Sequence, residues 1–205
     1  KQTFNSFLSN FKINRINYHQ DITINIFLLI LLVFLIFEFL SLNFPSSKID
    51  IFHDGQRLSS AFKSKIDGSL WSGSYVSVGI IYETLGTKFA WKLFQSESIG
   101  SMKVLDMLYI LITKILIVFL AFEITKYIKL SNPYKILHFL LTSFFLLTTL
   151  DYNLNSVDVI SFREIPIILS LILFIKTFDS ESVINYFLIA LLSVFTFFWS
   201  IDRAL

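Results

Sequence analysis

The chain has 205 residues, of which 55% are hydrophobic and 24 are Phe, and its formal net charge is +2. This apolar content, with a mean hydropathy of +0.70, exceeds what a soluble domain of this length needs for its core. The sequence has no Cys, no Gly-rich phosphate loop, no nucleophile elbow and no basic stripe with interleaved aromatic residues, which excludes disulfides, cysteine metal sites and the common nucleotide-binding and nucleic-acid-binding classes. The composition therefore indicates a protein with several membrane spans.

Five apolar stretches predict transmembrane helices. They run from Thr23 to about Leu42, from Val104 to Ile124, from Ile136 to Leu150, from Ile165 to Phe178 and from Val183 to Ile201. The first is too long for a signal-peptide core, so we expect it to remain as an anchor. Helices are favoured over a barrel because the apolar runs are continuous and a bilayer leaves no water for unpaired backbone groups. The third and fourth stretches are short, so they need flanking residues, a thinner bilayer or a position among other helices.

Basic residues predict the orientation of this all-α, polytopic membrane protein. They cluster before the first span and between the second and third, at Lys1, Lys12, Arg15, Lys126, Lys129 and Lys135. Because cytoplasmic loops are enriched in Lys and Arg, residues 1–22 are expected to be a cytoplasmic segment. Residues 23–205 then form one transmembrane domain with a long outer loop over 44–103. The opposite, outer face is predicted to collect Asp54, Asp151, Asp158, Glu164 and Asp202.

The outer loop carries two amphipathic patterns with helical spacing. The first has an apolar stripe at Leu58, Ala61, Phe62 and Ile66, with Arg57, Ser60, Lys63 and Ser64 opposite. After a turn at Asp67 and Gly68, the second stripe is Val78, Tyr82, Leu85, Phe89 and Leu93, opposed by Thr84, Lys88 and Lys92. Nearby Trp71, Tyr75 and Trp91 are typical of helices at the lipid headgroup level. These helices either anchor the loop at the interface or cover a cleft that admits a lipid-linked substrate.

Three short motifs carry a resemblance to a known family. They are Phe52-His53-Asp54-Gly55, Ser161-Phe162-Arg163-Glu164-Ile165-Pro166 and Trp199-Ser200-Ile201-Asp202-Arg203. Together with the long first outer loop, they resemble the membrane-embedded GT-C glycosyltransferases, and more specifically a group of uncharacterised bacterial GT-C-like proteins. Those relatives tend to have Gly after the Asp-Arg pair, where this chain has Ala204. Since the chain lacks an initiator Met and stops soon after an apolar span, we expect it to be an N-terminal fragment.

The resemblance implies transfer of a sugar from a polyprenyl-phosphate donor to a lipid, glycan or protein acceptor. The outer loop would then be periplasmic or extracellular, the membrane a bacterial inner membrane, and the partners a polyprenyl-phosphate-linked sugar and membrane lipid, with no nucleic acid. In that family an acid of the first loop is essential, which makes Asp54 the expected catalytic base. No cofactor is predicted, because His19, His53 and His138 have no metal-ligand spacing, although a need for a divalent metal stays open.

The other candidate site residues are assigned to substrate binding. His53 is placed to tune Asp54 or to bind an acceptor hydroxyl. Arg163 and Arg203, with Arg57 as a further candidate, supply guanidinium groups that contact two phosphate oxygens at once. The set is completed by the acids Asp158, Glu164 and Asp202.

Structural roles compete with these assignments. Asp54 stands where it would cap the first amphipathic helix, and capping does not exclude catalysis. Glu164 completes a capping box with Ser161, although Pro166 favours a helix that starts nearer Ile165. Asp202 and Arg203 would also pair with Glu164 and Arg163 at a membrane boundary, and Asp158 would make a turn in its Asn-rich connection.

Two rival functions remain open, a transporter or lipid flippase and a noncatalytic scaffold. Transport draws on Glu38 and Lys114, charges within spans that should face the bundle or a cavity for packing or proton relay. Against transport, the chain has no inverted repeat and no pair of Gly- or Pro-broken spans. His138, Thr142 and Thr148 are expected to form hydrogen bonds between helices.

Overall fold

A computed structural model describes residues 22–41, 49, 51–70, 79–128, 130–149, 164–177 and 182–199. All regular structure in these ranges is helical, which confirms the predicted all-α class. The helices are α1 Ile22–Ser41, α2 Ile51–Asp67, a π-helical turn Ile81–Leu85, α3 Gly86–Phe94, α4 Ile99–Lys126, α5 Asn132–Thr149, α6 Ile165–Thr177 and α7 Val183–Trp199.

Each of the five predicted apolar stretches overlaps one helix, and α4 and α5 begin before the predicted positions. Two of these helices are long and apolar enough to cross a membrane, the 19 residues Thr23–Ser41 and the 28 residues of α4. At 1.5 Å per residue, α4 is about 42 Å long, which exceeds the roughly 30 Å of a hydrocarbon core. It begins at Ile99 rather than Val104 because Ser98 caps it, with the Ser98 hydroxyl accepting a hydrogen bond of 3.3 Å from the Ser101 amide.

Helix α4 lies at the centre of the bundle. One side of it packs against α1 and α5, through a core of Ile24, Leu35, Val118, Ala121, Phe122 and Phe139. Another side packs against α6, through Ile117, Leu120, Ile168 and Ile172. Helix α7 packs along α6. Helix α4 therefore contacts helices on several of its sides, and its side chains form a large part of the interior.

Of the three residues expected to form hydrogen bonds between helices, His138 does so. His138 of α5 bonds Thr125 of α4 with 3.0 Å between Nδ1 and Oγ1, as predicted for a bond between helices. Thr142 instead bonds His138 within α5, and Thr148 donates to the carbonyl of Phe144 in its own helix. The prediction was wrong for these two threonines, because residues four apart in a helix are neighbours: the Thr142 hydroxyl contacts the His138 ring, and the Thr148 hydroxyl reaches the Phe144 carbonyl.

Helices α2 and α3 form a compact unit against the first half of α4. Gly68 ends α2 with a φ of +67°, which confirms the turn predicted at that position. The second amphipathic pattern forms a π turn followed by α3, whereas Trp71, Tyr75 and Val78 lie outside the described residues. This unit contains two of the predicted site residues, Asp54 and Arg57.

Candidate functional site

The polar side of helix α2 is buried and faces α4. The residues buried on it are Asp54, Arg57, Ser60, Ala61 and Ser64. Phe62 and Ile66, from the predicted apolar stripe, are 52% and 68% exposed. The amphipathic helix was therefore predicted correctly, and its buried side is the one that carries charge. Such an arrangement is stable only where the buried polar groups find partners.

Asp54 forms an ion pair with Lys103 in the first turns of α4. The distance between Asp54 Oδ2 and Lys103 Nζ is 2.6 Å, and the two side chains are 0% and 5% exposed. The alternative that Asp54 is the N-cap of α2 was wrong, because the helix begins at Ile51 and Asp54 lies within its first turn. A negative charge there still interacts favourably with the helix dipole.

Arg57 forms a second ion pair one turn farther along α2. Its two terminal nitrogens donate to the two carboxylate oxygens of Asp106, at 2.7 and 2.8 Å. The guanidinium also lies 4.2 Å from the centre of the Tyr82 ring, a cation–π contact. Burial opposes the positive charge, but Asp106 and Tyr82 favour it more, so the pKa of Arg57 is raised above its ordinary value. Arg57 stays charged at every accessible pH.

The two ion pairs have the same spacing on both helices. Asp54 precedes Arg57 by three residues, and Lys103 precedes Asp106 by three residues, with the charges in reversed order. Residues three apart lie on one face of a helix, so α2 and α4 run in the same direction where they touch. We call Asp54, Arg57, Lys103 and Asp106 the charged cluster. Its formal charges cancel, which lowers the cost of burying all four.

The π turn supplies the third side of the charged cluster. Tyr82, Glu83 and Thr84 are buried there, and the Thr84 hydroxyl lies 2.6 Å from the hydroxyl of Ser60. Tyr82 points inward while Leu85, predicted on the same stripe, is exposed, because a π turn advances each residue by a smaller angle than an α-helix does. Such turns often occur at functional sites.

Aromatic residues connect the charged cluster to the ends of α6 and α7. Tyr109 of α4 and Ile165, the first residue of α6, pack against Tyr82. The ring of Trp199, the last residue of α7, lies 5.4 Å from the ring of Tyr109 in an edge-to-face contact. We call Tyr82, Tyr109 and Trp199 the aromatic layer. Parts of all three motifs that carry the resemblance therefore lie at or beside one assembly.

The structure brings together some of the predicted site residues. Asp54 and Arg57 share the charged cluster, and Glu164 lies half-buried directly before Ile165. The Glu164 carbonyl accepts a hydrogen bond of 2.9 Å from Ile168, so α6 starts at Ile165, as Pro166 predicted. His53 is exposed, its ring 5.1 Å from that of Phe52, and it lies outside the charged cluster. Four others lie outside the described residues: Asp158, Arg163, Asp202 and Arg203.

Sequence reasoning missed the partners of Asp54 and Arg57. The sequence predicts Lys103 as the end of the outer loop and Asp106 as part of an apolar span. Glu83, 2% exposed in the π turn, was also missed. The available signal was the complementary spacing, acid then base three residues later in α2, and base then acid at the same spacing in α4.

A separate charged pair lies farther along α4. Lys114 of α4 donates to Glu38 of α1 at 2.7 Å, which confirms that these two charges face the bundle. They line a small cleft whose other walls are Leu35, Phe39, Met107, Ile110 and Leu111. Lys114 is about 16 Å farther along α4 than Lys103, so this cleft is distinct from the charged cluster.

The charged cluster offers the chemistry of a carboxylate held beside two cations. A carboxylate takes a proton from an alcohol when the oxygen atoms come within about 2.6–3.2 Å, and cations stabilise the negative charge that develops on a leaving phosphate. Among the described residues, no three His, Cys, Asp or Glu side chains group as metal ligands. In comparisons with protein-family models, with curated proteins and with solved structures, the chain gave no match.

Proposed function

We propose that this protein is an integral membrane glycosyltransferase of the GT-C type, which transfers a sugar from a polyprenyl phosphate to a lipid, glycan or protein acceptor. The observation that carries the proposal is the pairing of Asp54 with Lys103 beside the Arg57–Asp106 pair. Asp54 is the first-loop acid that the resemblance marks as essential. Burying charge is costly, and buried groups that carry charge at such a cost often belong to functional sites.

The proposal includes five spans, a cytoplasmic N-terminus and an outer site. Two helices have the required length and composition, and α6 and α7 are apolar but shorter, with 13 and 17 residues. The contacts of Ile165 with Tyr82 and of Trp199 with Tyr109 favour an arrangement in which three outer segments meet on one side. Helix α6, about 20 Å long, would cross where the bilayer is thinned or flanking residues contribute.

The exposed apolar side of α2 and α3 supports contact with lipid. Phe62, Ile66, Phe89 and Leu93 are each at least half exposed. An amphipathic helix with such a face lies at the boundary between headgroups and acyl chains. With its opposite side on the charged cluster, this unit would hold the site at the depth of a polyprenyl phosphate head.

In the proposed reaction, the Asp54 carboxylate accepts the proton of the acceptor hydroxyl while that oxygen bonds to the anomeric carbon of the sugar. The bond between this carbon and the phosphate oxygen breaks, and its electron pair leaves with the polyprenyl phosphate. Arg57 and Lys103 contribute positive charge toward that phosphate, and Arg163 and Arg203 are proposed to add to it. The proton on Asp54 then passes to water, which restores the base.

Replacement of Asp54 by Asn tests the proposal. Asn keeps the size and removes the charge, so we expect sugar transfer to fall at least about 100-fold, the lower range for loss of a general base. The measurement is transfer from polyprenyl-phosphate sugars in membranes that contain equal amounts of inserted wild-type and variant protein. Asp67→Asn removes a carboxylate charge in the same way at an exposed position of the same helix, and this control should keep full transfer.

A double variant separates catalysis from folding. Asp54→Asn with Lys103→Gln removes both charges of the pair, so it should insert and fold better than Asp54→Asn alone. If Asp54 is the base, transfer stays lost in the double variant. Recovery of transfer would show that Asp54 only balances Lys103, and equal transfer by wild type and Asp54→Asn would remove it from the chemistry.

Transport is the second candidate, and the Glu38–Lys114 pair favours it. Charges within spans mark pathways in transporters, and this pair lines a cleft between two helices of membrane length. Neutralising both with Glu38→Gln and Lys114→Gln distinguishes the two functions. A flippase loses translocation of labelled lipid in vesicles, whereas a glycosyltransferase with its site at Asp54 keeps sugar transfer.

A further inference from the structure

We infer that Lys103 is a latch on Asp54, which the phosphate group of the lipid-linked donor releases by drawing Lys103 away. The inference rests on the proposed function and adds a mode of regulation to the same site. In the latched state the base is masked. When the donor phosphate binds Lys103, the Asp54 carboxylate becomes available to an acceptor hydroxyl.

The geometry requires a change of this kind if Asp54 is a base. Asp54 is 0% exposed, and the Lys103 ammonium lies 2.6 Å from its Oδ2 atom. A base must come within hydrogen-bond distance of the proton that it removes. No acceptor hydroxyl from outside the protein reaches Asp54 in this arrangement, so the structure is a closed state.

Lys103 is better suited to release than Arg57 is. Arg57 is held by two hydrogen bonds to Asp106 and by the Tyr82 ring, in a planar geometry that fixes its direction. Lys103 carries its charge on a single ammonium group at the end of a flexible side chain. It can therefore exchange Asp54 for another anion without the geometric constraint of a planar guanidinium. Arg57 remains near Asp54 and offsets the charge that Lys103 leaves behind.

A phosphate diester makes this exchange without a net change of charge. The ion-pair partner of Lys103 changes from the Asp54 carboxylate to a phosphate. Both partners carry one negative charge, and the phosphate has two oxygens that are free to bind. A ligand shifts such an equilibrium only by its preference for one state, and here the preference is the ion pair that it gains with Lys103. Binding of the lipid-linked phosphate and exposure of the base are then coupled, which keeps Asp54 from water until a phosphate group occupies the site.

Ser60 reports whether α2 separates from its neighbours. It is 2% exposed, its hydroxyl contacts Thr84, and it lies one turn beyond Arg57 on the same face. Ser59, the adjacent residue, is exposed. Because the chain has no Cys, each position is labelled specifically after substitution by Cys. Ser59→Cys is the matched control for Ser60→Cys.

The experiment measures the rate of maleimide labelling of the full chain in three kinds of lipid vesicle. One contains a polyprenyl phosphate, one contains the same polyprenol without phosphate, and one contains neither but has inorganic phosphate in the buffer. We expect the polyprenyl phosphate to raise the labelling rate of Ser60→Cys about tenfold, as a tenfold larger open population would. The rate for Ser59→Cys should stay constant in all three.

Removing the latch gives a second expectation. In a Lys103→Gln background, Ser60→Cys should label at the fast rate without any phosphate, and polyprenyl phosphate should have no further effect. The comparison of vesicles with native Lys103 does not depend on the folding of this variant. A fast, unresponsive rate in the variant and a slow, responsive rate with native Lys103 together support the latch.

Several outcomes overturn the inference. An unchanged Ser60→Cys rate in polyprenyl phosphate vesicles overturns it, even where sugar transfer is observed. An equal response to polyprenol overturns it as well, because the chain and not the phosphate would then cause opening. A response to inorganic phosphate alone supports the latch and assigns the trigger to the phosphate group. Phosphate-dependent labelling without any sugar transfer would overturn the proposed function and leave a phosphate-released latch.

Discussion

The two ends of α4 both carry buried charge, but they neutralise it differently. At the first end, Lys103 and Asp106 pair with Asp54 and Arg57, and all four side chains are less than a tenth exposed. At the other end, Glu123 is 8% exposed, yet its partner Lys126, at 2.8 Å, is 31% exposed. Lys176, 4.0 Å from Glu123, is 51% exposed. Only the second end keeps its cations in contact with the surroundings.

This difference separates a sealed set of ion pairs from an open one. Where a cation reaches solvent, losing its partner leaves a charge that water can stabilise. In the charged cluster, losing one member leaves a buried charge with neither partner nor water. The first end of α4 should therefore be the more sensitive to neutral substitutions, and the ranking of three such substitutions tests the comparison.

The largest effect is expected for Arg57→Gln. In the native protein the Asp106 carboxylate accepts two hydrogen bonds from Arg57. The substitution leaves this carboxylate buried without its cation, so we expect a loss of about 3–5 kcal/mol in the free energy of unfolding. The measurement is denaturant or thermal unfolding of the purified protein in detergent. The double variant Arg57→Gln with Asp106→Asn should recover much of the loss. A loss below about 1 kcal/mol in the single variant would mean that water reaches the charged cluster.

A smaller effect is expected for Glu123→Gln. The amide keeps an oxygen that can accept from Lys126, and both lysines remain hydrated, so we expect a loss of about 1–2 kcal/mol in the same assay. The bond of 3.0 Å from the Tyr127 hydroxyl to the Ile175 carbonyl still joins α4 to α6. A loss equal to that of Arg57→Gln would contradict the distinction between the two ends.

The helices could be predicted because membrane length and apolar composition are local properties of the sequence. The stretch from Val183 to Ile201, for example, predicts α7 at Val183–Trp199 from its apolar residues alone. The side of α2 that is buried could not be read in this way. Its apolar stripe is the stronger pattern, and the partners that draw Asp54 and Arg57 inward are 49 residues away in the chain.

The site was predicted only in part, because its pairings join residues that are distant in the sequence. Asp54 lies in the motif that carries the resemblance, and Arg57 lies just after it. Lys103 and Asp106 lie at the start of an apolar helix, where charges commonly mark a membrane boundary. The inward turn of Tyr82 depends on a π turn, whose extra residue leaves no clear mark on helical periodicity. Long-range pairing and local irregularity are thus the two features that sequence patterns left out.

The smallest effect is expected for Asp67→Asn, on the exposed side of α2. Asp67 lies 3.6 Å from Lys63, with the two side chains 29% and 50% exposed. A solvated pair of this kind contributes about 0.3–0.5 kcal/mol, and an acid in the last turn of a helix opposes the helix dipole, so the two terms nearly cancel. We expect a change within about 0.5 kcal/mol, measured beside Arg57→Gln. A loss as large as that of Arg57→Gln would show that position on α2, and not burial of the charge, sets the ranking.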